Sequence, residues 1–393
     1  MDPRRARIAT AVIFAAHGAV TGSFAARLPA LKSELGLGSG ALGAALMAQA
    51  IGAFTAMTLT SRLIHRFGER DALRMTVLAW TLVLPIPALM PEAYSFAAAM
   101  FVFGAAAGSA TVTTNAAAVL TEEAVGRSIM TGLHGMWSVG NLAGAAVGAL
   151  AVVVGLDVRV HFALVSAVLV PLALIGCRFV PHFERRGAQD APARFALPTR
   201  AVLVIGFIGL CSAFIEGTTQ NWSGIYLEQI TGATAALAAF GYTVYMTGSV
   251  AVRILGDFAV RRLGPVPTVR IGASVAALGA LLVTVASVPA VAIGGFALIG
   301  VGTAVIVPLA VAAGGRAAAV PAHGVAGVMT VTFTGSLVAP GAVGGIADLS
   351  SLRVSFGVVT AVGLAMVFLA GVVRPRERPS ATPPPAKADS SCA

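Results

Sequence analysis

The sequence predicts an all-α membrane protein of twelve transmembrane helices arranged as two pseudo-symmetric six-helix bundles. Three observations predict it. The 393-residue chain is 57% hydrophobic and 11% charged, where a soluble domain carries about 25% charged residues. Apolar runs of about 20 residues, enough to span a bilayer as helix, recur along the whole length. A short basic turn also occurs twice, as Ser61-Arg-Leu-Ile-His-Arg-Phe-Gly-Glu-Arg70 and as Asp257-Phe-Ala-Val-Arg-Arg-Leu-Gly264. Its aligned glycines, Gly68 and Gly264, lie half a chain apart (264 − 68 = 196). The apolar runs are too long and too uniform for barrel strands of about 10 alternating residues.

Taken in order, the spans are expected near 8–29, 41–61, 73–90, 95–120, 128–154 and 160–180, then near 201–226, 234–255, 268–288, 290–314, 325–346 and 353–373. Pro85 and Pro87 should bend the third span. Pro308 and Pro340 fall inside the tenth and eleventh, where neighbours must satisfy the backbone groups that proline frees. The first bundle is expected over 1–180, a polar cytoplasmic linker over 181–200 and the second bundle over 201–374. The stretch 375–393, with Pro383, Pro384 and Pro385 in a row, has the composition of a disordered tail.

Charge sets the orientation. With the N-terminus inside, 22 of the 26 Lys and Arg fall on the inner side and only Arg27, Lys32, Arg159 and Arg353 on the outer side. The positive-inside rule then puts both termini in the cytoplasm and the chain in the inner (plasma) membrane as a multi-pass protein. The first span follows Arg4, Arg5 and Arg7 and reads as a permanent helix rather than a cleaved signal.

Composition also excludes functions. The basic residues are 24 Arg and 2 Lys in short loops, a distribution that does not suit nucleic acid. Cys177, Cys211 and Cys392 give no disulfide or zinc spacing, and no phosphate-binding GxxxxGK[ST] loop occurs. No cofactor, metal site or enzymatic constellation is expected.

Polar side chains within spans cost free energy and tend to line cavities. Glu216 is the one acid placed inside a span, with Gln220 a turn later and Asn221 and Trp222 beyond it. It reads as a proton-carrying or solute-binding carboxylate, or as a structural ion pair. In the fifth span His134, Trp137, Ser138 and Asn141 share a face at i, i+3, i+4 and i+7. They read as cavity lining, with His134 a second proton carrier because histidine titrates near neutral pH, or as a helix–helix seam. Thr111 and Asn115 in the fourth span read as ligand contacts or packing. Tyr242 and Tyr245 continue to Arg253 and Asp257 along the eighth span; the aromatic pair reads as site or core, and the charged pair as an ion pair at i, i+4. His17 lies on the first span, and Arg27 at its outer end snorkels, gates or contacts an anion.

Twelve spans, a mid-chain cytoplasmic loop and a basic turn after spans 2 and 8 resemble the major facilitator superfamily over nearly the whole chain, a family built of two related halves. Of the family's turn Gly-x-Leu-x-Asp-Arg-x-Gly-Arg-Lys, the chain keeps Leu63, Arg66, Gly68 and Arg70, while Ser61, His65 and Glu69 depart from it. The resemblance implies a gating role for Arg62, His65, Arg66, Gly68 and Arg70, and for Arg253, Asp257, Arg261, Arg262 and Gly264 in the second copy. The stretch Gly335 to Gly345 is similar to the family's Gly/Pro-rich packing motif. Within the family, Arg27-Leu-Pro29, His134-Gly-Met-Trp-Ser-Val-Gly140 and Glu216-Gly-Thr-Thr-Gln-Asn-Trp-Ser223 resemble the fucose-permease-like branch.

That resemblance implies a monomeric secondary active transporter working by alternating access. Its solute site would lie at mid-membrane between spans 1, 4, 5, 7, 8 and 10, and His17 would face Glu216. With no nucleotide site, an ion gradient must drive it, and Glu216, His17 and His134 favour the proton. Import of a sugar-like or small polar metabolite follows the branch; efflux of a drug or biosynthetic product is the main rival, and a non-transporting membrane sensor the remote one.

Overall fold

In a bilayer every backbone N–H and C=O must be satisfied within the protein, and helices do this along their own length. The computed structural model describes residues 2–126, 129–180, 199–318 and 321–374, without the side chains at 61, 131, 254–257, 259, 321, 322 and 326. The expected tail and all but the last two residues of the expected linker lie outside the described residues. Among the described residues there are twelve helical stretches long and apolar enough to cross a membrane.

The first six spans are α1 (Pro3–Glu34), α2 (Ser39–Phe67), α3 (Glu69–Val83), α4 (Ala93–Val125), α5 (Met130–Val153) and α6 (Val158–Arg178). The second six are α7 (Arg200–Thr231), α8 (Ala235–Leu263), α9 (Pro265–Val285), α10 (Pro289–Thr303) with α11 (Ile306–Ala317), α12 (Pro321–Leu349) and α13 (Leu352–Leu369). Several helices overrun the expected spans. The first is 32 residues long, because hydropathy sees only the stretch of about 20 residues in hydrocarbon while the helix continues through the headgroups.

Proline acts where expected in two of three places. α3 stops at Val83 and a 3-10 turn, Ile86–Leu89, finishes its span. The tenth span breaks between Thr303 and Ile306, just before Pro308, whose ring denies a continuous helix its i−4 bond. Pro340 lies within an uninterrupted α12. Side chains start other helices: Asp157 accepts the Arg159 N–H at 2.8 Å to cap α6. Glu122 accepts the N–H groups of Ile129 and Met130 at 2.7 and 2.9 Å and seats the start of α5.

The duplication is visible in the backbone. Gly68 ends α2 at φ 81°, ψ 163° and Gly264 ends α8 at φ 81°, ψ 167°, a conformation open to glycine alone without strain. Both helices are 29 residues long.

Lipid tails are as apolar as leucine, so helices associate here by close packing rather than by escape from water. The α1–α5 and α2–α4 pairs dominate the N-terminal half, and α7–α12, α9–α10, α9–α13 and α8–α10 the C-terminal half. The two halves join through α2–α12, α5–α8, α1–α7 and α1–α8. Apart from isolated contacts, α4 touches only the N-terminal half, and α10 and α11 only the C-terminal half. At the end away from the termini the seam is tight: Asp348 accepts the Gly40 N–H at 3.4 Å, and Gly43 lies against Pro340 and Gly344. At mid-depth Phe54 meets Phe333 edge-on at 6.0 Å.

Candidate functional site

The polar stripe of α5 and the polar faces of α7 and α8 come together at mid-depth on the seam. Glu216, on α7, is 16% exposed at its side chain and stands 3.7 Å from the Arg253 Nη2 of α8. The Ser212 hydroxyl, one turn earlier, donates to Glu216 Oε1 at 3.2 Å. Arg253 also crosses the seam: its Nη1 donates to Ser138 Oγ at 3.3 Å, and Ser138 in turn donates to the His134 carbonyl at 3.2 Å. The same guanidinium therefore touches both halves.

A turn away from this contact the Tyr242 hydroxyl donates to Asn141 Oδ1 at 2.8 Å, again across the seam. Tyr242 stacks on Tyr245 with centroids 6.0 Å apart. The Asn141 amide nitrogen is buried and has no partner. A buried donor without an acceptor costs about 1–3 kcal/mol, which suits a group reserved for a solute or a water. His134 is exposed, its ring edge against Phe14 at 5.4 Å, and Trp137 is half-buried beside it.

Several candidates lie elsewhere. His17 does not meet Glu216; its ring packs on Trp80 at 5.3 Å, and Trp80 Nε1 donates to its carbonyl at 3.3 Å. The counter-group of Glu216 is Arg253, which the sequence assigned to Asp257. The Asp257 side chain lies outside the described residues. Thr111, Asn115 and Asn221 donate to carbonyls one turn back in their own helices, each at 2.8 Å. Trp222 is fully buried, its indole N–H unpartnered and its ring near Gly344. Arg27 is 5% exposed and donates to the Leu156 carbonyl at 2.6 Å. It lines a cavity of about 380 Å³ at the far end, together with Glu34, Asp157 and Glu228.

The duplicated turns are open. Arg62, His65, Arg66, Arg261 and Arg262 are exposed; Arg66 lies over Phe67 at 5.4 Å and Arg262 over Phe258 at 4.8 Å. Arg70 donates to the Arg178 carbonyl at 2.7 Å, tying α3 to α6 within its own half. The sequence reading did not single out two residues, Ser212 beside Glu216 and Asp348 at the seam. Ser212 was detectable as a hydroxyl at i−4 to the half-buried acid; Asp348 carried no local signal.

A family model described as Major Facilitator Superfamily matches residues 10–320 and again 205–391. An uncharacterized MFS-type transporter of Yersinia pestis is 32% identical over 354 residues, covering 90% of this chain and 92% of that protein. A variant of the nucleoside transporter NupG superposes with a TM-score of 0.78 at 13% identity, covering 93% of this chain and 99% of that one. A D-xylose-proton symporter superposes with a TM-score of 0.74 at 15% identity, over 94% and 98%.

Proposed function

The chain belongs to the major facilitator superfamily, and we propose that it is a monomeric, proton-coupled secondary transporter of a small polar solute, working by alternating access. One observation carries this reading: a titratable carboxylate, Glu216, is held by an arginine that also grips the opposite half. A change of protonation at Glu216 thereby reaches the contact between the halves. A conformational equilibrium responds to a ligand only through interactions that differ between its states, and Arg253 supplies such a difference.

The solute site lies around Glu216, Ser138, Asn141, Tyr242, Tyr245 and Gln220, with His134 and Trp137 at its rim. Phenol and indole faces with amide and hydroxyl edges suit a solute that is part polar and part apolar. The charge asymmetry of the loops puts the termini in the cytoplasm, so the tight seam near Gly40 and Asp348 closes the outer side. Uptake in this arrangement is in keeping with the sugar-permease-like motifs; efflux would use the same parts, and the sign of proton-driven flux in oriented vesicles decides between them.

The test has two steps. A thermal-shift screen of the purified protein finds the solute class, because stabilisation grows with ligand concentration over Kd. Proteoliposomes with an imposed proton gradient then measure uphill flux. Glu216→Gln is expected to fold and insert but to lose uphill flux. If it still drives uphill flux with an unchanged pH profile, Glu216 is not the coupling group.

A further inference from the structure

Arginine keeps its charge under all protein conditions, and a charge between transmembrane helices needs a partner. Arg253 therefore requires a counter-anion in each state in which it lies in the seam. In the state seen here Glu216 is that anion, through one oxygen at 3.7 Å. Charge-assisted N–H···O bonds are about 2.8 Å, and a bidentate fork uses both oxygens. The pair is thus loose and single-pronged. Arg253 is 37% exposed, and its only hydrogen-bond acceptor among the described residues is Ser138. Among the described residues, nothing else occupies the guanidinium edge, which can there receive another planar anion.

A proton on Glu216 removes the counter-charge and leaves +1 at the site. An ammonium-bearing solute would add to that charge, and a neutral sugar would leave it. A carboxylate would cancel it and match the guanidinium geometry. We propose, building on the transporter reading above, that the solute carries a carboxylate that binds Arg253 in place of Glu216 while Glu216 holds the proton. One proton and one monoanion then share the site, and the loaded and empty sites carry the same net charge.

The groups that feel the Glu216 charge are Arg253, Tyr242 and Tyr245, all on α8. Among the described residues, α1 and α10 to α13, which also pack on α7, present no charged group to it. His134, across the seam on α5, is a second titratable group near Arg253.

Sodium acetate is the probe, as the smallest carboxylate, with sodium chloride at equal ionic strength as reference and the purified full-length protein as the sample. In Glu216→Gln, acetate is expected to raise the thermal midpoint saturably, and in Glu216→Gln/Arg253→Gln to do nothing. Equal shifts in the two variants, or none in the first, overturn the proposal. The wild-type protein gives an independent measurement should the variants not fold. One linked proton makes acetate bind about tenfold tighter per unit fall in pH, and a pH indicator in weak buffer should register one proton taken up per acetate. Acetate binding without proton uptake overturns the proposal, as does loss of the linkage in His134→Gln, which would move the proton from Glu216 to the histidine. None of these readouts needs flux. Failure here alongside proton-driven movement of a neutral solute leaves the transporter reading intact; acetate binding without any proton-driven flux removes that reading instead.

Discussion

Asn141 and Tyr242 form a cross-seam hydrogen bond between uncharged side chains. Both are buried and 2.8 Å apart, so removing either strands the other in a place water does not solvate. Hydrogen bonds between transmembrane helices average about 0.6 kcal/mol and reach about 1.7 in double-mutant cycles. Tyr242→Phe and Asn141→Ala are each expected to lower stability, and the double variant to lose no more than the worse single one. A thermal or chemical unfolding cycle reads this coupling, and additive losses would mean that the bond does not hold the seam. At this scale the sequence was legible where residues shared a stripe. Ser138 and Asn141 do face the α8 helix, and Glu216 is a half-buried acid with a specific partner. It was not legible where a side chain chose between its own helix and a neighbour. Asn115 and Asn221 turned back to carbonyls at i−4, an option open to any short polar side chain in a helix. The contact of Arg253 with Glu216 was not foreseen, because spacing within a helix reveals i+4 neighbours and hides a residue 37 positions away on the next one.

The helix pairs are set by glycines whose missing side chains let backbones touch. A Cβ on Gly104 of α4 would strike the Gln49 carbonyl of α2, and a Cβ on Gly300 of α10 would strike the Tyr245 carbonyl of α8. These two positions are related by the same half-chain offset as Gly68 and Gly264, and so are Gly52 and Gly248 in the facing helices. The duplication therefore extends beyond the basic turns to the contacts that hold each half. Overpacking a close helix contact costs about 1–3 kcal/mol. Gly104→Ala and Gly300→Ala should each lower the thermal midpoint in detergent by a comparable amount. Gly132→Ala, where an added Cβ meets nothing within 4 Å, should be close to neutral. A neutral Gly104→Ala would mean that α2 and α4 can separate freely. Spans and turns were legible in the sequence because hydropathy, proline and the repeated Gly turn act locally. Helix ends were not, since the portions in the headgroup region carry no hydropathy signal. The pairing of α1 with α5 and α2 with α4 was hidden for another reason: a glycine reports that something approaches closely but does not name it.

For the whole molecule to alternate, the seam at the end away from the termini must open in each cycle. At that seam backbones approach closely, at Gly40 against Asp348 and at Gly43 against Pro340 and Gly344, with Met47 set against Gly341. A Cβ built on Gly40 falls 3.5 Å from the Asp348 Cβ, within the range of about 3.5–4.5 Å that a disulfide bridges. In a background with Cys177, Cys211 and Cys392 replaced, Gly40→Cys with Asp348→Cys should cross-link on mild oxidation and hold the two halves together at that end. Turnover should stop, and reductant should restore it. A matched pair at Thr284 and Thr360, whose hydroxyls lie 3.4 Å apart within the C-terminal half, should cross-link without stopping flux, because α9 and α13 move as one body. The two pairs together separate rocking of halves from deformation within a half. Full flux through the oxidised Gly40–Asp348 pair would mean that this seam never opens and that the solute passes by some other route. Arrest by the Thr284–Thr360 pair would mean that the C-terminal half itself bends as it works.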